Sequence, residues 1–208
     1  MKEITPELLQ DAYTYEAYKN LIDELLEKGM TTGENQSEAM THYAMMGRKR
    51  MQKWDKIASL DEELNDQITS MTQPITLLVI TEGWCGDAAQ IIPFLNKMEK
   101  ANPQKLTMRL VLRDENTALM DQFLTHGARS IPKVIALNPE DLSVLGDWGP
   151  RPEPIQKEFL ENKKTQALSG TDFAEHMHLW YAKDKGQALQ QELKQKFKAW
   201  TKVLKEVD

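Results

Sequence analysis

Along residues 1–70 the apolar positions recur at helical spacing. Tyr18, Ile22 and Leu25 share one face of a segment that Thr14 can cap and Gly29 can end, which predicts a helix between them. TTGENQ reads as a loop. Ser37 then opens a second helix, in which Tyr43, Gly47, Met51, Trp54 and Ala58 follow one another at steps of four, four, three and four. Asp61 can cap a short third helix that ends near Thr69.

After Pro74 the pattern changes. ITLLVIT is a continuous β-branched and apolar run of strand length, as expected of a strand buried on both faces. AAQIIPFLNKMEKA reads as a helix, LTMRLVLR as a second strand, and ENTALMDQFLTHG as a short helix ended by Gly127. IPKVIAL and LSVLGDW are two further strands, close enough to pair around NPED. The β-α-β start requires a parallel pair joined by a crossover helix, and the last two strands add an antiparallel edge.

Beyond about Pro154 the chain is helical again. Leu189, Leu193, Phe197, Trp200 and Leu204 form one apolar stripe, and Phe173, Met177 and Trp180 another. Neither stripe can be buried within its own zone, so both are expected to pack on the central sheet or on each other. The expected organisation is a helical N-terminal extension over 1–70, an α/β core over 71–160 and C-terminal helices over 161–208 that pack on the core, one structural unit overall.

Composition narrows the function. Of 208 residues, 40% are hydrophobic and 28% charged, the usage of a globular protein, and the net charge of −6 argues against a general affinity for nucleic acid. MKEITPELLQ lacks the basic and apolar segments of a signal peptide, and ITLLVI is too short to cross a bilayer. With one cysteine there is no internal disulfide, and a cytoplasmic location with no membrane partner is expected.

That cysteine, Cys85, stands where the strand ITLLVIT, after EGW, enters the next helix. Helix N-terminal amides and the helix macrodipole stabilise an anion, so the position predicts a thiol with its pKa lowered below the free value and a reactive thiolate. Trp84 and Gly86 flank a sulfur that is partly shielded yet approachable. Asp87 reads either as an acid favoured by the helix N-terminus or as a group that tunes the thiol.

Trp84-Cys85-Gly86-Asp87-Ala88, with Pro93 following on the helix, resembles the active-site helix of the thioredoxin-like superfamily. Ser130-Ile131-Pro132, at the start of the third strand, resembles that superfamily's cis-proline loop. The likeness covers roughly residues 71–160. A bacterial branch with a Trp-Cys-Gly-Asp centre and helical extensions is similar at Thr31–Ser37 and at Trp148-Gly149-Pro150-Arg151-Pro152 as well. The resemblance implies a thioredoxin-like three-layer α/β fold with a mixed central sheet and added N- and C-terminal helices. It implies Cys85 as catalytic nucleophile, with Trp84, Gly86, Asp87, Ile131 and Pro132 as the substrate-binding surface, and no cofactor. The sequence departs from the family at Ala88, where a resolving cysteine would stand, and at Val79, where the family carries a buried acid. A single thiol can form a mixed disulfide, but an external thiol must then resolve it. The expected partner is a protein disulfide or a low-molecular-weight thiol such as glutathione.

Two other classes stay open: a non-catalytic binding or scaffold module on the same fold, and a thiol peroxidase working through a sulfenate. Trp148 and Arg151 can overhang the site or simply break the chain. Arg129 and Lys133, which flank the proline loop, can attract an anionic thiol or be solvated charges. His176 and His178 point to different faces of one helix with no second pair nearby, so no metal site is expected. The lysines of the last helix alternate with acids and read as an exposed face.

Overall fold

The computed structural model describes residues 4–207, with side chains to residue 205. Four helices among the described residues precede the sheet: α1 (Pro6–Asp11), α2 (Tyr15–Glu27), α3 (Glu38–Ile57) and α4 (Glu62–Thr69). Thr5, Thr14 and Asp61 cap α1, α2 and α4 by accepting a backbone N–H of the first turn. The first of these, α1, carries no buried residue and left no periodic signal in the sequence.

The sheet has four strands in the order β2-β1-β3-β4. Its centre, β1 (Ile75–Thr81), is buried at all seven positions, so helices cover both faces. It runs parallel to β2 (Leu106–Leu112), reached through the crossover helix α5 (Ala88–Ala101), and antiparallel to β3 (Lys133–Leu137). The edge strand β4 (Val144–Trp148) pairs antiparallel with β3. On the other edge Tyr13 and Leu110 exchange both backbone hydrogen bonds at 2.8 Å, so the chain entering α2 covers part of β2.

Between β2 and β3 the helix is shorter than the sequence pattern predicts. α6 spans only Thr117–Met120, and Thr125 and Ala128 then exchange backbone hydrogen bonds around Gly127, whose φ of +76° a side chain rarely adopts. The chain ends in α7 (Glu153–Thr165), α8 (Gly170–Asp184) and α9 (Gln187–Val207). The apolar stripe on α9 is buried from Leu189 to Leu204 against β4 and α4. Its Lys194 is not on an open face: it pairs with Glu63 at 2.8 Å, tying α9 to α4.

Two contacts bring the terminal helices to one place. α3 lies so close to the loop after β1 that a Cβ on Gly47 would stand 3.3 Å from the Gly83 carbonyl oxygen. At the α8–α9 turn Gly186 (φ +82°) rests on the Phe94 ring of α5, where a Cβ would collide at 2.3 Å. Both ends of the chain therefore converge on the start of α5. No described helix is long and apolar enough to cross a membrane.

Candidate functional site

The loop after β1 is held from below by residues 31–37. Gln36 folds that loop on itself, donating to the Thr31 and Gly33 carbonyls and accepting from Thr31 N–H at 2.7–3.0 Å. Thr32 Oγ1 accepts Gly83 N–H at 2.8 Å. Gly33, at φ +79°, lets the backbone pass where a Cβ would lie 2.5 Å from Asp114 Oδ2 and 3.4 Å from Trp84 Nε1. The Arg113 guanidinium covers the Trp84 ring at 4.8 Å, an attraction between a cation and the ring's negative face.

Cys85 stands three residues before α5, its carbonyl accepting Ala89 N–H at 3.2 Å. The sulfur accepts Ala88 N–H at 3.4 Å and donates to the Ile131 carbonyl at 3.3 Å. Ile131–Pro132 is cis, which turns that carbonyl toward the thiol. The residue is only 6% exposed. Burial, and after it the Asp87 carboxylate, push the thiol up to about 12, against the pull of the Ala88 amide and Arg151. The sequence predicts the opposite direction. The helix amides are where the pattern puts them, but the Ala88 and Asp87 N–H groups and the Arg151 charge do not compensate for removing a thiolate from water beside a carboxylate. A thiol that donates to a carbonyl is also the protonated form by definition.

Asp87 occupies the N-cap position of α5, but its side chain is engaged elsewhere. Its side chain makes no capping bond. Arg151 grips Oδ2 with Nη2 at 2.7 Å and Nε at 3.0 Å, and Tyr181 donates to Oδ1 at 2.7 Å. The two ionic side chains are 7% and 10% exposed. Arg151 is further held by Gln156 at 3.1 Å and by the Phe159 ring at 4.3 Å. Gly149 makes this possible: its φ of +121° brings it against the Pro132 carbonyl, where a Cβ would collide at 2.3 Å. The Gly-Pro-Arg turn and the proline loop thus form one packed unit beside the thiol.

Facing the sulfur is a cleft of about 450 Å³. Trp84, Cys85, Gly86, Asp87, Ser130 and Ile131 form its floor and near wall. The far wall is Tyr43 and Arg50 of α3 with Ala174, Met177 and His178 of α8. Trp54 Nε1 donates to Gln90 Oε1, and Gln90 Nε2 contacts His178 Nδ1 at 3.3 Å. An indole N–H can only donate, so the Gln90 oxygen must accept and its amide must donate to Nδ1. That assigns the ring proton to Nε2, which lies 3.5 Å from where a Cβ on Gly86 would stand. Burial and the charge of Arg50 lower the His178 pKa to about 4, so the ring is neutral.

Of the residues singled out from the sequence, Trp84, Cys85, Gly86, Asp87 and Ile131 meet at the cleft, and Pro132 lies buried behind Ile131. Arg151 reaches the site; Trp148 does not, being tied to Glu192 of α9 at 2.7 Å. Arg129 lines the cleft but is clamped by both oxygens of Asp121, while Lys133 is buried in the sheet against Asp147. Val79 is plain core, and His176 pairs with Glu158. Sequence reasoning missed Arg50, Tyr181 and the part His178 plays, having weighed that histidine only as a metal ligand. The last two share a helix face with Ala174, three and four residues apart, but the Phe173–Met177–Trp180 pattern drew attention to a different face. It also missed Glu82, fully buried, whose carboxylate accepts Asp114 N–H at 2.9 Å and whose pKa burial raises. Among the described residues no group of acids, histidines and cysteine could hold a metal ion.

No curated protein matches the chain. Among solved structures it is similar, with 15% identity and a TM-score of 0.58 over 99% of each chain, to a Pseudomonas aeruginosa protein of unknown function. It is also similar to an HIV epitope scaffold, with 16% identity and a TM-score of 0.48 over 88% of this chain and 97% of the other. A thioredoxin family model matches residues 33–167, which contain α3, the whole sheet, Cys85 and the proline loop. With well over half of its length matched on that sheet and that loop, the chain belongs to the thioredoxin family.

Proposed function

We propose that the protein is a single-cysteine thiol–disulfide oxidoreductase whose mixed disulfide is resolved by an external thiol. The observation that carries this reading is the Cys85 sulfur at the floor of a cleft, between the Ala88 amide and the carbonyl before a cis-proline, in a chain with one cysteine. The Thr31–Ser37 loop and the Trp148–Pro152 turn, each packed on this centre, support membership of the bacterial branch with a Trp-Cys-Gly-Asp motif.

In the forward step the Cys85 thiolate attacks one sulfur of a disulfide R–S–S–R′. The Cys85–S–S–R bond forms, the R′ thiolate leaves and takes up a proton, and Cys85 is oxidised as R′ is reduced. A second thiolate then attacks the R sulfur, carries R away as a new disulfide and returns Cys85 to the thiol. The raised thiol pKa shapes both steps. Little thiolate exists at neutral pH, so attack is slow. Cys85 is also a poor leaving group, so the adduct is long-lived. Such a protein holds its thiol partner rather than turning it over rapidly.

The test is intact-protein mass spectrometry after incubation with glutathione disulfide at pH 8–9, then with excess glutathione. A single adduct on Cys85, removed by the free thiol, is expected; no adduct after complete reaction of the urea-unfolded chain refutes the reading. Burial of the thiol favours a second reading, a binding module in which Cys85 only packs. In that case ligand affinity survives Cys85→Ser and no adduct forms. A peroxidase needs a thiolate at neutral pH, and the direction of the Cys85 shift counts against it.

A further inference from the structure

Four arginines, Arg50, Arg113, Arg129 and Arg151, line the cleft that ends at Cys85. Three are committed: Arg151 to Asp87, Arg129 to Asp121, and Arg113 to Asp114 at 2.8 Å. Arg50 makes no hydrogen bond or ion pair with any described residue, although half-buried, and desolvation lowers its pKa. Its guanidinium nitrogens are not among the buried unpartnered atoms, so they reach solvent at the cleft and are open to an incoming acceptor. Beside it stands the His178 Nε2–H, fixed as a donor by the Trp54–Gln90 relay, and His178 feels the Arg50 charge directly. Tyr43, exposed at 40% although it falls on the apolar stripe of α3, adds a phenol on the same wall.

We propose that Arg50 and the Nε2–H of His178 form a carboxylate subsite, so that the thiol held on Cys85 is a small thiol bearing carboxylates. The inference rests on the exchange reading above and names its substrate class. Size supports it: about 450 Å³ falls within the ~300–1,000 Å³ of small-ligand pockets. With Cys85 6% exposed behind walls from α3 and α8, a free tripeptide thiol reaches the sulfur where a folded protein's disulfide is excluded. Charge supports it as well, because a planar guanidinium pairs with a carboxylate in two-point fashion, and Arg50, though Glu175 lines the adjoining pocket, forms no ion pair with it. The committed arginines hold the walls in place, leaving Arg50 to select.

Rates of adduct formation at pH 8.5 test this with glutathione disulfide, neutral bis(2-hydroxyethyl) disulfide and cationic cystamine. A charge-assisted hydrogen bond predicts that glutathione disulfide reacts roughly tenfold or more faster than the neutral reagent, with cystamine slowest. Arg50→Gln erases that preference, and Arg50→Lys restores part of it. Equal rates for all three reagents in the unaltered protein, or a preference that survives Arg50→Gln, overturn the proposal. Binding of unreactive S-methylglutathione to Cys85→Ser separates the two levels. If no disulfide reacts but this ligand binds and Arg50→Gln abolishes binding, the exchange reading falls and the carboxylate subsite stands. If Cys85 reacts but the ligand does not bind, the subsite falls alone.

Discussion

The property that decides how Cys85 reacts is its ionisation. Its thiol is pushed up to about 12, whereas a free cysteine titrates near ~8.5. At pH 7 roughly one molecule in 10⁵ then carries a thiolate, against roughly one in thirty for an unstructured thiol, a ratio of about 3,000. Nucleophilicity rises with pKa, with a Brønsted slope of ~0.4–0.5, which returns a factor of about 30–50 over ~3.5 units. The folded protein should therefore react with iodoacetamide about a hundredfold more slowly at pH 7 than the same chain in urea, before any steric shielding. The more telling measurement is the pH profile. Between pH 7 and 10 the rate should rise tenfold per unit with no plateau, because the titration midpoint lies above that range. A plateau below pH 9 would show that the Ala88 amide and Arg151 outweigh burial, and the argument from desolvation would be wrong. Asp87→Asn supplies the internal control. It removes the carboxylate that opposes the thiolate while Arg151 remains, so the rate at pH 7 should rise rather than fall.

Other perturbations follow from the same contacts. Ala88→Cys places a second thiol at the residue whose N–H already meets the Cys85 sulfur, so insulin disulfide reduction, poor in the unaltered protein, should improve markedly. Breaking the buried pair with Arg151→Met strands Asp87; a loss of ~3–5 kcal/mol is expected, which for this chain length lowers the melting temperature by about 6–20 °C in calorimetry. For His178 the folded pKa of about 4 lies below its unfolded value near ~6.5. Its stabilising contribution is therefore complete above pH 6.5 and is lost as pH falls toward 4, so His178→Gln should flatten urea-unfolding stability across that window. Gly86→Ala puts a methyl 3.0 Å from His178 Cε1 and should slow adduct formation with bulky disulfides more than with small ones.

Much of this was legible from periodicity. The continuous apolar run of β1, the position of α5 and the buried stripe of α9 all follow from spacing, because burying an apolar face is the largest favourable term available to each segment. α6 was overestimated, since a short apolar cluster followed by glycine satisfies a helical template and a closed turn equally well. At the site, the local motif located the sulfur and the proline loop but misjudged the thiol's acidity. That property depends on how deeply other segments bury the sulfur, and those segments lie as far away as residue 181. Arg50 was invisible for the same reason. On the sequence it is one cation in a helix with several; only the fold shows that the other arginines of the cleft are paired and it is not, among the described residues.

Two hydrogen-bonded chains explain why the helical extensions exist at all. Tyr181–Asp87–Arg151 fastens α8 and the turn before α7 to the residue two after the cysteine. Trp54–Gln90–His178 fastens α3 and α8 to the first turn of α5. A thioredoxin sheet with its thiol at an open edge presents the sulfur to any disulfide that can dock. Here both extensions are pinned to α5 by buried polar groups, and leaving such a group unpaired costs more than the bond itself contributes. The walls therefore cannot drift away without stranding Asp87, Arg151 or Gln90. The same burial raises the Cys85 thiol pKa.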